Sequence, residues 1–127
     1  MTMTTEARRI LVVDDNDMNR MLLRHIFEGE GSDEIIEAGN GLEALGLMKE
    51  SRIDLLLLDV RMPIMDGEET LKQLKQDASL SDIPVILISG ARDELTERCI
   101  ELGAAGFASK PYDIEDLHRQ VDELTRR

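Results

Sequence analysis

Three carboxylates, a hydroxyl and an ammonium each follow directly on a short apolar run in this sequence. Residues 10–13 (ILVV) run into Asp14 and Asp15, residues 55–58 (LLLL) into Asp59, and residues 85–88 (VILI) into Ser89. Residues 106–108 (GFA) lead through Ser109 to Lys110. Carboxylates gathered in one place repel, and the repulsion raises at least one pKa unless a cation lies among them. No His or Cys accompanies them, so the donors are all hard oxygens. Such a set suits Mg²⁺, which binds one or two carboxylates, a carbonyl and waters. Mg²⁺ in turn suits phosphoryl transfer, because it neutralises charge on the phosphoryl oxygens. A carboxylate can itself be the nucleophile and become an acyl phosphate. The oxygens of that phosphate then need partners, for which Ser89 offers a hydrogen-bond donor and Lys110 a cation.

Scattered residues do this only if the chain delivers them to one rim. The four leucines before Asp59 are too few for a membrane span and too apolar for an exposed loop, so they predict a strand buried on both faces. Strands are likewise predicted at residues 10–13, 34–38, 85–88 and 106–108. Helices are predicted between and after them, from Met18, Leu22 and Ile26; from Leu42, Leu45 and Met48; from Leu71, Leu74 and Ala78; from Leu95, Cys99 and Leu102; and from Ile114, Leu117, Val121 and Leu124. Gly29, Gly31 and Gly103 read as helix stops, and Pro63 with Asp66-Gly67 as a turn after the third strand. Strand and helix alternating five times give an α/β fold, a parallel sheet covered on both faces with right-handed crossovers. All the polar residues then lie at the C-terminal rim, where open α/β sheets bind their ligands.

The totals narrow the field. A chain of 127 residues is one domain. Its net charge of −12, from Asp+Glu 27 against Lys+Arg 15, argues against a nucleic-acid or anionic-membrane surface. The single Cys99 excludes an internal disulfide and fits a reducing, cytoplasmic compartment. No apolar run is long enough to cross a bilayer. Residues 1–8 are polar and unpatterned and read as a mobile tail, leaving 9–127 as the domain.

Asp14-Asp15-Asn16, Asp59 followed by Met62-Pro63 and Asp66-Gly67, Ser89-Gly90-Ala91 and Lys110-Pro111, each at its own strand end, together resemble the receiver domain of two-component response regulators. The resemblance runs from residue 9 to the end. It implies a flavodoxin-like (βα)5 fold with strand order 2-1-3-4-5. By it, Asp59 is the phosphoacceptor, served by a histidine kinase or a histidine phosphotransfer protein. Asp14, Asp15, Asp59 and the backbone carbonyl of Arg61 are the Mg²⁺ ligands. Lys110, in a cis bond to Pro111, pairs with the phosphoryl group. Ser89 and Phe107 are the switch pair. Helix four, strand five and helix five form a face read by an output domain or protein, with a homodimer on phosphorylation as one outcome. The chain would then be a phosphoacceptor assisting its own phosphorylation and dephosphorylation rather than an enzyme. It departs from the family at Phe107, often Tyr, and at Ala105-Gly106, which softens strand five.

Blander readings stand beside these. Asn16 or Asp17 can cap the first helix, with Asp17 favoured, and Asp66 serves the turn. His25 and His118 read as surface residues, and Cys99 as a small core hydrophobe. Asp15-Asn16-Asp17 also resembles the signature of haloacid-dehalogenase-type phosphatases, which would make Asp15 the nucleophile. Asn19 stands where those enzymes usually carry Thr or Val. An unphosphorylated docking module, or an FMN carrier of the same fold, fits less well: every site residue is present, and carboxylates occupy the place of a phosphate loop.

Overall fold

The computed structural model describes residues 7–28 and 33–126. Five strands and five helices alternate: β1 (Arg9–Val13), α1 (Asp17–Glu28), β2 (Glu34–Ala38), α2 (Gly41–Glu50), β3 (Leu55–Asp59), α3 (Gly67–Gln76), β4 (Val85–Ser89), α4 (Glu94–Glu101), β5 (Gly106–Ser109) and α5 (Ile114–Leu124). All strand pairs are parallel, in the order β2-β1-β3-β4-β5. This is the parallel α/β sheet that the apolar runs predict, in the flavodoxin-like order that the resemblance implies.

The pleat explains why those runs are unbroken. Successive side chains point to opposite faces, and both faces are covered. Ile10, Val12, Leu55, Leu57, Ile86 and Ile88 pack with α1 and α5 through Leu23, Phe27, Leu117 and Val121. Leu11, Val13, Leu56, Leu58, Val85 and Leu87 pack with α2, α3 and α4 through Leu45, Met48, Leu71, Leu74 and Cys99. The helices after α1 each start on a short polar cap. Asn40, Asp66, Asp93 and Asp113 accept from the amides of Glu43, Glu69, Thr96 and Asp116.

Helix rotation departs from the sequence reading. Met18 and Leu22 of α1 are exposed, Ile26 is partly buried against the core as expected, and the fully buried residues are Leu23 and Phe27. Arg20 and Arg24 fix this rotation by pairing with Glu37 of β2, and Phe27 is the largest fully buried side chain among the described residues. Asn16, not Asp17, caps the helix, accepting from the Asn19 amide at 3.0 Å. Leu42 and Ile114, in the first turns of α2 and α5, are also exposed. Ala78 lies past the end of α3. His118 is half-buried and meets the Phe27 ring edge-on at 4.9 Å. Gly103, at φ 110°, does end α4, whereas Gly29 and Gly31 lie outside the described residues. So do residues 1–6 of the expected tail. Arg8 belongs to the fold: its guanidinium pairs with Asp33 and Asp122, and its carbonyl accepts from the Glu34 amide.

One glycine is required by the loop that leaves β3. The Gly67 amide donates to Val60 O at 2.8 Å, folding α3 back over the strand end. A Cβ at Gly67 would stand 2.8 Å from both Asp59 O and Val60 Cα, which are backbone and cannot step aside. Gly46, inside α2, faces open space instead. Gly67→Ala is therefore expected to destabilise the fold by about 1–3 kcal/mol, and Gly46→Ala to stabilise it by about 0.5–1 kcal/mol. Urea unfolding midpoints of the two variants, moving in opposite directions, check the assignment.

Candidate functional site

The register brings the strand ends level. Val13 sits opposite Leu58, Asp59 opposite Ile88, and Ser89 opposite Ser109. Backbone ladders continue past the last strand residues, from Asp14 N to Ala38 O, Val60 N to Ile88 O and Lys110 N to Ser89 O. Asp14, Asp59 and Lys110 therefore leave the sheet at one rim. By the alternation of the pleat they project on the α1/α5 side, and Ser89 on the other.

One carboxylate oxygen from each of Asp14, Asp15 and Asp59 lies within 4.8 Å of the others. Asp14 and Asp59 are buried and Asp15 is exposed. Lys110 Nζ stands 3.4 Å from Asp14 Oδ2 and 3.4 Å from Asp59 Oδ2, bridging the two buried carboxylates. The Asn16 amide donates to Asp14 Oδ1 at 2.9 Å, and the Arg61 amide reaches Asp59 Oδ1 at 3.4 Å. The four acidic and basic residues singled out in the sequence are thus brought together. The Lys110–Pro111 peptide bond is cis.

Two further side chains stand apart from that cluster. Ser89 is buried, and its hydroxyl donates to Ala91 O at 2.8 Å, away from Asp59. Phe107 is half-buried against the core on the α2–α4 side. The Arg92 guanidinium covers its ring 5.6 Å from the centroid. The Gln120 side-chain amide donates to Phe107 O at 3.0 Å, so α5 holds the edge strand at its small-residue start.

Several contributors had no signal of their own in the sequence. Arg20 donates to the carbonyl of Asp14 at 2.5 Å and to Glu37 at 3.0 Å, setting the backbone that presents the acidic pair. It also pairs with Asp17, one helical turn before it. Tyr112 buries its hydroxyl without a protein partner. Burial, then the charges of Asp14 and Asp59, push its pKa upward. The loop after β3 holds Ile64 at φ 70°, with Met65 N donating to Pro63 O at 2.7 Å. A β-branched residue there is strained, and the strain lies between Asp59 and its helix.

Electrostatics follow from the crowding. Burial raises the Asp59 pKa first and the Asp14 charge adds to it. Lys110 and the Arg61 amide oppose both, leaving a value of about 6 against an ordinary 3.8. Added positive charge at this place is what the donor set lacks. Three carboxylate oxygens on separate segments, two of them buried, fit a small divalent cation such as Mg²⁺.

Residues 10–122 match the family model described as the response regulator receiver domain. The chain belongs to the response regulator receiver family. It is 39% identical over 108 residues to the polar-differentiation response regulator DivK of Brucella anthropi, covering 84% of this chain and 87% of that protein. It is 38% identical over 117 residues to the cyclic di-GMP phosphodiesterase response regulator RpfG of Xanthomonas campestris pv. campestris. That match covers 91% of this chain but only 31% of RpfG. Among solved structures, the signal receiver domain of a signal transduction histidine kinase from Syntrophus aciditrophicus superposes with a TM-score of 0.86 at 36% identity. It covers 94% of this chain and 90% of that one. Receiver domains thus occur in response regulators of different lengths and on a kinase, and this one is built as they are. Among the described residues no helix is long and apolar enough to cross a membrane.

The sign of the Asp59 shift makes a prediction. Between pH 3.8 and about 6 the folded receiver keeps a proton that the unfolded chain has released. Stability therefore falls as pH rises through that window, and the full cost is present above it. In metal-free buffer at pH 7, Asp59→Asn is expected to be more stable than the parent by about 1–2 kcal/mol. Urea unfolding should show the difference shrinking toward zero as the pH is lowered to about 4. Mg²⁺ should narrow it at pH 7 by stabilising the parent more than the variant, which has lost one carboxylate of the cluster.

Proposed function

We propose that this receiver takes a phosphoryl group onto Asp59 from a phosphohistidine of a kinase or phosphotransfer protein. Asp14, Asp15, Asp59 and the Arg61 carbonyl would hold Mg²⁺. The observation that carries this is the position of Lys110 Nζ, 3.4 Å from both Asp14 and Asp59. A cation seated between the acceptor and a metal-binding carboxylate is where the oxygens of a transferred phosphoryl group need charge. Asp15 is exposed and lies outside that contact, which weighs against its being the nucleophile.

In the transfer, an Asp59 carboxylate oxygen attacks phosphorus. The new O–P bond forms as the P–N bond breaks, and the imidazole leaves with the bonding pair. Only the ionised carboxylate is nucleophilic, and at a pKa of about 6 most of it is ionised at neutral pH. The Arg61 amide holds one carboxylate oxygen in place, and Lys110 follows the other. When bound, Mg²⁺ supplies charge neutralisation for the phosphoryl oxygens.

The product carries about −1.5 to −2 of new charge. Ser89 turns its hydroxyl from Ala91 O to a phosphoryl oxygen, and Phe107 moves inward from beneath Arg92. The surface of α4, β5 and α5 changes shape, for an output domain, a partner protein or a second copy to read. On this reading the chain is a cytoplasmic phosphoacceptor that assists its own phosphorylation and dephosphorylation, not a turnover enzyme. The docking-module reading leaves the convergence of Lys110 and three carboxylates without a use.

Incubation with a small acyl phosphate and Mg²⁺, followed by peptide mass spectrometry, tests this. One phosphoryl group is expected on Asp59 and none in Asp59→Asn, with the labelling rate falling about a hundredfold when the metal is chelated. Label on Asp15 instead would support the phosphatase reading.

A further inference from the structure

The loop from β4 to α4, residues 90–93, is held by Ser89 and by side chains to which the transfer gives no part. The Ser89 hydroxyl donates to Ala91 O, and Thr96 Oγ1 reaches the same carbonyl at 3.2 Å. Thr96 is fully buried, so this end of α4 is packed as well as bonded. Asp93 divides its two oxygens. Its Oδ1 accepts from the Thr96 amide at 3.1 Å and caps α4, while Oδ2 pairs with the Arg61 guanidinium. Arg61 comes two residues after Asp59. A side chain from the exit of the acceptor strand therefore grips the helix whose preceding loop holds Ser89.

The consequence is steric and electronic. Ser89 has one hydroxyl hydrogen, and Ala91 O has it. For that hydrogen to reach an oxygen bound at Asp59, the Ala91 carbonyl must be released, which undoes the turn that joins Ser89 to the loop. The Arg61–Asp93 pair ties the last residue of that loop to the exit of β3.

We propose that the Arg61–Asp93 ion pair is a latch that keeps Ser89 turned away from Asp59, and so sets how readily the site takes up and keeps a phosphoryl group. This rests on the phosphoacceptor reading above and adds positioning roles for two side chains. The pair lies at the surface, with side-chain exposures of 64% and 36%. It is therefore modest in strength and screened by salt. A modest latch suits a switch whose two states are close in free energy. Removing it lowers the cost of the Ser89-in state, and any ligand selecting that state gains affinity by the same factor.

The divided carboxylate makes a clean test. Asp93→Asn keeps an oxygen for the Thr96 amide and loses the ion pair; Arg61→Gln loses the same pair from the other side and leaves the Arg61 backbone carbonyl in place. Beryllofluoride with Mg²⁺, a phosphoryl mimic, is titrated into the parent, each single variant and the double variant, with fluorine NMR reporting the bound form. Each single variant is expected to bind about two- to fivefold more tightly than the parent. The double variant should be no tighter than either single, since both remove one interaction. At about 1 M salt the parent should approach the variants. A helix-capping role alone would predict no gain in Arg61→Gln and no salt dependence. Single variants that match the parent, or effects that add in the double variant, overturn the latch. A parent that takes up no beryllofluoride overturns the phosphoacceptor reading, and the latch with it.

Discussion

Two carboxylates buried side by side are the constraint around which this domain is built. Asp14 and Asp59 are 1% and 7% exposed, and each would prefer water. Burial and mutual repulsion both penalise the charged pair, and the raised Asp59 pKa records the residue of that conflict. What keeps the pair tolerable is local and specific. An amide serves each carboxylate, and one ammonium, on a third segment, stands between them. None of these groups neutralises the site, so it retains an affinity for positive charge and for ligands that arrive with it.

The hydrophobic scaffold is what holds such a pair in place. Three central strands, β1, β3 and β4, buried at every residue but Arg9, leave no slack for the strand ends to drift apart. A slip of one residue in any strand would send its whole apolar set to the wrong face, so the register is strongly specified. Because the strands are parallel, specifying the register also specifies which residues share the rim. The energy that fixes the site is thus spread through the leucines and isoleucines of β1, β3 and β4. The strained Ile64 and the close approach at Gly67 are tolerated beside it for the same reason.

The strands and the convergence of Asp14, Asp15, Asp59 and Lys110 were legible in the sequence because each rests on a local pattern, whereas the strand order followed from the family resemblance. An unbroken apolar run that stops at a charge fits little besides a buried strand reaching its rim. Helix rotation was not legible in α1. Its apolar residues support two stripes about 100° apart, at the helical period, and the choice between them is made by Arg20 and Arg24 against Glu37, which lies on a different strand. Asn16 and Asp17 are both good caps, and backbone geometry at the exit of β1 decides between them. The same limit hid Arg92 above Phe107, Gln120 on β5 and Asp93 against Arg61. Each is a pairing between segments, and a charged or amide side chain carries no mark of its partner in its own neighbourhood.

That division has a functional side. The groups suited to phosphoryl chemistry sit where a pattern of the fold places them, so any chain with this pattern acquires them together. Of the groups that hold the loop after β4, Ser89 and Thr96 are buried, whereas Arg61 and Asp93 pair at the surface. Arg61 follows Asp59 by two residues, yet its pair with Asp93 contributes little to holding the sheet together, since an exposed pair is worth at most about 1 kcal/mol. An interaction of that size is small against the stability of a domain. It is a sizeable share of a difference of roughly a few kcal/mol between two conformations of one loop. The chemistry of a receiver can thus be fixed by its buried strands while its timing and poise are set by side chains at the rim.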